Sequence, residues 1–187
     1  MAGMKLLWDG ENWTTTVALP GWKSHLPAKL ARRVPVVFNP EGSEEEIEPT
    51  SAQLAAVELV VDQQAELLAN VTRALRGYYT KMRPMMVKAA SELPQFFPNF
   101  ERAMPEAPDP ATFARLHQLH TVYVQPTAVK KLAHVGFGFH AAWEVEHGVG
   151  VLVHGLDVRE IGGTDSVILH WIAKRDAKKL AGKKSKP

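Results

Sequence analysis

Hydrophobic and polar residues alternate within residues 4–38 with the two-residue period of β-strands. One parity carries Trp13, Thr15, Val17 and Leu19. Asp9-Gly10 separates this run from Lys5–Trp8, and such a dipeptide predicts a hairpin turn. Pro20-Gly21 ends the second predicted strand, and Val34–Phe38 predicts a third.

A long amphipathic helix is predicted after these strands. Thr50 and Gln53 have the spacing of a capping box at its start. Apolar residues then recur at spacings of three, four or seven and share one helical stripe, namely Leu54, Val57, Val61, Leu68, Val71 and Leu75. The pattern predicts a helix over Ser51–Tyr79 that ends before Pro84, with a shorter helix near Pro84–Glu92.

The segment after this helix is rich in proline. Residues 94–110 contain five prolines, which predicts an irregular path, and Asp109-Pro110 is expected to begin a short helix that ends near Leu116. A strand at Leu119–Gln125 is expected to stop at the following proline, before a turn near Lys130–Lys131.

The clearest alternation in the sequence follows this turn. Its apolar parity consists of Val135, Phe137, Phe139, Ala141, Trp143 and Val145. This run predicts a strand that turns at His147-Gly148 and pairs with a second strand through Val149–Val153. A short strand at Val158–Ile161 and a last helix capped by Thr164 or Asp165 complete the prediction.

Strands, a long helix and strands again predict an α+β fold. We expect one antiparallel sheet covered on one face by the long helix, plus short helices. With 187 residues, of which 45% are hydrophobic, the protein can bury one sizeable core and is too short to need two. Residues 1–173 are therefore expected to form a single α+β domain.

The net charge of +2 combines two unlike regions. Residues 174–187 carry +6, from seven basic residues and one acid, which leaves −4 for residues 1–173. We expect a disordered C-terminal tail over 174–187, because its last residues offer nothing to pack. Its charge gives a weak hypothesis of nucleic-acid binding, although no aromatic residue follows Trp171 to stack on bases.

Composition excludes several classes of protein. The sequence contains no Cys, which excludes a disulfide scaffold, a Cys-ligated metal site and a thiol nucleophile. No run of 18 apolar residues occurs, so neither a membrane span nor a membrane partner is expected. The first residues lack the apolar stretch of a signal peptide, which predicts a cytoplasmic location. The sequence implies no cofactor.

Three strings carry a family resemblance, namely Val135-Gly136-Phe137-Gly138-Phe139, Trp143-Glu144-x-Glu146-His147-Gly148-x-Gly150-Val151 and Ile161-Gly162-Gly163-x-Asp165. They resemble an uncharacterised bacterial family known as a domain of unknown function. The capped helix with Gly77-Tyr78-Tyr79 near its end resembles the same family more loosely. The resemblance implies a single α+β domain without an established activity. Related small bacterial domains occur beside contact-dependent toxins as antidotes, which implies a binding role.

The densest polar cluster lies on the predicted hairpin. Strand parity places His140, Glu144 and Glu146 on one face, about 7 Å between alternate positions. With His147, they could bind a divalent cation or perform general acid–base chemistry. The competing interpretation is a solvent-exposed hairpin face, in which His147 serves the turn and Asp165 caps a helix.

The leading hypothesis is a non-enzymatic cytoplasmic module that binds another protein, in an antidote-like or accessory role. Its candidate functional cluster consists of Trp143, Glu144, Glu146, His147 and Asp165. The alternative is a metal-assisted hydrolase that uses His140, Glu144, Glu146 and His147. The hydrolase requires these side chains to converge in a pocket. The partner's identity and the oligomeric state stay open.

Overall fold

Seven strands form one mixed sheet. The computed structural model describes residues 4–30, 33–42 and 46–182, and within them the strands lie side by side in chain order. They are β1 (Leu7–Trp8), β2 (Trp13–Val17), β3 (Val34–Phe38), β4 (His117–Val129), β5 (Leu132–Ala141), β6 (Glu144–His154) and β7 (Asp157–Gly162). With the helices, they confirm the predicted α+β class.

Helices connect the two halves of the sheet and follow its last strand. Within the same described ranges they are α1 (Ser51–Asp62), α2 (Gln64–Glu92), α3 (Phe100–Ala103), α4 (Pro110–Leu116), α5 (Asp165–Ile168) and α6 (His170–Gly182). Short 3₁₀ helices cover Pro20–His25, Ala28–Leu30 and Pro94–Phe96. None of these helices combines the length and the apolar composition needed to cross a membrane.

One pair of strands departs from the predicted antiparallel sheet. β3 pairs with β4 in parallel, with Val36 opposite Val122, whereas the other neighbouring strands are antiparallel. The prediction is wrong for this pair because the chain does not turn back directly after β3. Parallel neighbours need a long crossover, and α1 and α2 provide it between Phe38 and His117.

The predicted capping box begins α1. The Gln53 backbone N–H donates to Thr50 Oγ1, and the Thr50 backbone N–H donates to Gln53 Oε1 at 2.9 Å. The predicted single helix is interrupted at Gln63, whose backbone angles are not helical (φ −107°, ψ 23°). The helical stripe therefore continues in a second helix, α2.

α2 passes through Pro84, where the sequence predicts that the helix has already ended. Proline has no N–H, so the Thr80 carbonyl four residues earlier loses its hydrogen bond. Both residues are exposed, and water can bond to that carbonyl instead. The predicted end at Tyr79 is therefore wrong, and Pro84–Glu92 belongs to the same helix.

Pro84→Ala is expected to raise the free energy of unfolding by about 1–2 kcal/mol. Alanine restores the hydrogen bond, although the more flexible unfolded chain offsets part of the ~3 kcal/mol cost of a mid-helix proline. Urea unfolding measured by circular dichroism gives the change. Lys81→Ala, at another exposed position of α2, is the control and should shift the value by less than about 0.5 kcal/mol. A less stable Pro84→Ala protein would contradict this account of the helix.

The main core lies between one face of the sheet and the helices α1 and α2. Trp22 is fully buried there and stacks on Phe137, with ring centroids 4.9 Å apart. Its Nε1 donates to the backbone carbonyl of Gln64 at 3.0 Å. The 3₁₀ helix at Pro20–His25 is thereby attached to the start of α2.

The opposite face of the sheet is also covered, which corrects the prediction of a sheet covered on one face. α5 and α6 pack there, and Leu152, Val167, Ile172 and Ala173 form a second apolar cluster. Val167 lies directly against the β5 backbone, since a Cβ at Gly136 would be 2.3 Å from Val167 Cβ. Gly136 is therefore required for the contact between α5 and the sheet.

A nearly buried ion pair holds α6. Arg159 of β7 donates from Nε and Nη2 to the two carboxylate oxygens of Asp176, each at 2.9 Å. His134 Nε2 lies 3.0 Å from Asp176 Oδ2. The sequence predicts disorder over 174–187, but residues 174–182 are helical because Asp176 and its apolar neighbours are anchored on the sheet. Residues 183–187 lie outside the described part of the protein.

Candidate functional site

The hairpin of β5 and β6 turns at Ala142–Trp143 rather than at His147-Gly148. The predicted turn is wrong because His147 and Gly148 lie inside β6, where the strand bulges. Gly148 has a φ of 62°, and a Cβ there would lie 2.5 Å from the carbonyl oxygen of Phe139. Only glycine tolerates both this angle and this approach.

Charged residues of the candidate cluster lie on and beside this bulge. His147 Nδ1 is 3.0 Å from Glu144 Oε1. This hydrogen bond and the charge of Glu144, and then the charges of Glu146 and Asp165, raise the pKa of His147 above its ordinary value. Asp165 is the first residue of α5, and the side chain of the preceding Thr164 makes no capping hydrogen bond there.

His140 is separated from the other candidates. It is exposed, and its ring lies against His120 with centroids 4.4 Å apart. Glu144 lies near α2 instead, where burial and then the Glu144 charge raise the pKa of Tyr78. The expected shared face is wrong because the turn at Ala142–Trp143 interrupts the strand parity.

The described ranges contain no group of three or more His, Asp or Glu side chains that could hold a metal ion. Glu144 and His147 are in contact, whereas His140 contacts a different histidine. The hypothesis of a metal-assisted hydrolase gains no support from this arrangement.

A cavity of about 590 Å³ opens beside the hairpin turn. We call it the hairpin groove, and it is lined by Met86, Phe96–Phe100, Ala103 and Ala142–Glu146. The lining is mostly apolar and includes the carboxylates of Glu144 and Glu146 but no Lys or Arg. A partner placed in this groove would meet apolar surface and negative charge together.

Two large apolar side chains of the hairpin groove face solvent. Val145 is 85% exposed and Phe96 is 71% exposed. Val145 belongs to the bulge, and the strand parity that predicts it in the core does not hold there. Exposed apolar side chains that lie together around a cavity are typical of an interaction site.

The back of the hairpin groove is fixed by aromatic packing. Trp143 is buried and meets Tyr79 of α2 edge-to-face, with ring centroids 4.9 Å apart. Trp143 also lies nearly parallel to Phe113 of α4. The Tyr79 hydroxyl donates to the carbonyl of Pro105, which attaches the proline-rich segment to α2. Both walls of the groove are thus tied to the same helix.

His117 is fully buried next to Trp143 and pairs with His25, His25 Nδ1 lying 3.2 Å from His117 Nε2. Burial, followed by the neighbouring His25, lowers the pKa of His117 to about 3. The unfolded chain, with an ordinary histidine pKa of about 6.5, therefore binds protons more readily as the pH falls. The stability that neutral His117 contributes is present above about pH 6.5 and lost progressively down to about pH 3.

Between pH 7 and pH 5, we expect the wild type to lose about 2 kcal/mol more stability than His117→Phe, since the variant lacks this titration. Urea unfolding at a series of pH values measures the difference. Parallel pH profiles for the two proteins would show that His117 does not titrate in this way.

A family model described as a domain of unknown function (DUF6985) matches residues 11–169. The chain belongs to this family. The matched part of the DUF6985 domain contains β2 to β7 and both walls of the hairpin groove, and it ends just before α6. No curated protein and no solved structure matches the sequence.

Sequence reasoning located one wall of the hairpin groove and missed the other. Trp143, Glu144 and Glu146 are candidates on the sequence and do line the groove. The opposite wall, Phe96–Phe100, is predicted only as an irregular segment. Three phenylalanines within a proline-rich segment are a pattern that could have indicated an exposed aromatic surface.

Proposed function

We propose that the DUF6985 domain is a bacterial, cytoplasmic protein-binding module whose hairpin groove holds an apolar segment of another protein. Its role would be antidote-like or accessory. The observation that carries the proposal is the exposure of Val145 and Phe96 at the rim of a cavity of about 590 Å³. The sequence contains no Cys and therefore forms no disulfide bond, which agrees with a cytoplasmic location.

Burial of the exposed rim provides the driving force for binding. An apolar side chain seated between Val145 and Phe96 removes apolar surface from water, which is worth about 25 cal/mol per Å². The rigid back of the groove lowers the ordering cost of binding, because Trp143 is already packed against Tyr79.

Charge selects the partner's chemistry. Glu144 and Glu146 line the groove, and its described lining contains no Lys or Arg, although His147 beside it lies 3.0 Å from Glu144 Oε1. A Lys or Arg beside the partner's apolar anchor would complement these carboxylates. The proposed partner is therefore a protein segment that carries an aliphatic or aromatic anchor and a neighbouring basic residue.

Selection from a random-peptide display library on the immobilised purified protein tests the proposal. Enriched peptides should contain such an anchor with a neighbouring Lys or Arg. Val145→Asp should weaken their binding about tenfold or more, as expected when the apolar contact of the partner's anchor is replaced by a charge. Val145 is 85% exposed, so the substitution should leave the fold intact.

Ile47→Asp is the matched control, because Ile47 is 53% exposed and lies outside the hairpin groove. It should bind the selected peptides as the wild type does. Peptides that bind Val145→Asp as tightly as the wild type, or a selection without enrichment, would overturn the proposed function.

A further inference from the structure

A second cavity of about 550 Å³ adjoins the hairpin groove. The two share Asn99, Ala103 and Ala142 in their linings, so they are continuous along the protein surface. The second lining includes Arg102 and Arg115 and no acidic residue. We call it the arginine pocket. Negative charge lines one cavity and positive charge the other.

Both arginines are available to an anion. Arg102 is exposed and forms no ion pair within the described ranges. Arg115 is exposed and donates to Thr112 Oγ1 at 2.9 Å. Asp109 lies near Arg115, but its carboxylate is engaged in capping α4, where it accepts from two backbone N–H groups and the Thr112 hydroxyl.

The shared residue Asn99 lies between the two charged regions. Its side-chain amide can both donate to and accept from a peptide backbone. The planar guanidinium groups of Arg102 and Arg115 match the geometry of a carboxylate, which they can bind through paired hydrogen bonds. The continuous surface therefore offers carboxylates and an apolar rim in the hairpin groove, and guanidinium groups in the adjoining arginine pocket.

We propose that the hairpin groove and the arginine pocket together bind one extended peptide segment in a single direction. The segment places a basic side chain at Glu144 and Glu146, its apolar anchor against Val145 and Phe96, and a carboxylate at Arg102 and Arg115. The carboxylate is an acidic side chain or the C-terminus of the partner. This inference rests on the proposed function and adds the direction in which the partner's segment lies along the two cavities.

Four synthetic peptides measured by fluorescence anisotropy test the direction. The forward peptide Lys-Gly-Leu-Phe-Gly-Glu has an amidated end, and the reversed peptide Glu-Gly-Phe-Leu-Gly-Lys has the same composition. The other two replace the forward peptide's Glu with Gly and end in a free carboxylate or an amide. We expect the forward peptide to bind about tenfold more tightly than the reversed one, as the gain or loss of one well-placed charge pair would give.

The two glycine-ended peptides identify the source of the carboxylate. Tighter binding of the free acid than of its amide assigns a C-terminus to the arginine pocket, and tighter binding of the forward peptide than of both assigns an acidic side chain. Equal affinity of the forward and reversed peptides would overturn the inference.

The charge-reversal double variant Arg102→Glu/Arg115→Glu provides a second test of the same inference. It should weaken the forward peptide about tenfold and restore affinity for a peptide with Lys in place of its Glu. Arg73→Glu/Lys81→Glu is the control, because it changes the net charge equally at exposed positions of α2 outside both cavities. It should leave the affinities for the forward peptide and for the Lys-substituted peptide close to those of the wild type.

The two proposals fail in different ways. Binding that is lost in Val145→Asp but unchanged in Arg102→Glu/Arg115→Glu would overturn the proposed binding direction and leave the proposed function of the hairpin groove standing. Forward-peptide binding that is unchanged in Val145→Asp would overturn the proposed function itself.

Discussion

Asp176→Ala is expected to lower the free energy of unfolding by about 3 kcal/mol. The substitution removes the carboxylate that accepts both hydrogen bonds from Arg159. It also leaves His134, whose side chain is fully buried, without its partner at Nε2. The Arg159 side chain, which is 18% exposed, and the fully buried imidazole of His134 would then lack the carboxylate that compensates their loss of water, which is why removing one partner costs more than the pair contributes.

Urea unfolding of wild type and variant measures this change. Arg175→Ala is the matched control, because Arg175 forms an ion pair with Glu160 between the same helix and strand, but at side chains 42% and 38% exposed. Its loss should cost less than about 1 kcal/mol. Equal effects of the two substitutions would contradict the view that Asp176 anchors α6.

Gly136→Ala is expected to lower the free energy of unfolding by about 3 kcal/mol. The added Cβ would lie 2.3 Å from Val167 Cβ and 3.2 Å from Val167 Cα, so the clash involves the backbone of α5 as well as a side chain. α5 must shift away from the sheet, and the apolar cluster around Leu152 then loses contacts.

Gly77→Ala is the same chemical change at a helical position where, apart from the chain neighbours and the backbone of its own helix, no atom of the described residues lies within 4 Å of the added Cβ. It should raise the free energy of unfolding by about 0.5–1 kcal/mol, because alanine is the better helix former. Thermal unfolding of the two variants gives opposite shifts if α5 packs on β5 as described. A neutral Gly136→Ala would contradict that packing.

Local sequence patterns predict most helices and strands of this fold, but they do not predict every strand pairing or every packed face of the sheet. The alternation around Trp13 and Phe137 predicts β2 and β5, because one side of each strand enters the core. The parallel pairing of β3 with β4 depends on the path of the backbone through α1 and α2, which strand periodicity does not contain. The packing of α5 on the second face of the sheet is equally hard to predict, since Gly136 has no apolar side chain that would indicate a buried position.

The candidate site is predictable where its chemistry is visible in the sequence. Glu144, Glu146 and His147 stand out as charged residues beside glycines, and they do lie together. The bulge that exposes Val145 depends on Gly148 packing against the Phe139 carbonyl, a contact across the hairpin that spacing alone does not encode. The opposite wall is placed by contacts distant in sequence, such as Tyr79 with Pro105.

The central claim is that the hairpin groove is the binding surface of this domain. Amide chemical shifts of the isotope-labelled protein, recorded with and without a peptide selected on it, test this claim most directly. We expect the largest shift changes at Phe96–Phe100 and Ala142–Glu146, with the edge strands β1 and β7 unchanged. Changes centred on either edge strand, with the groove unaffected, would contradict the claim.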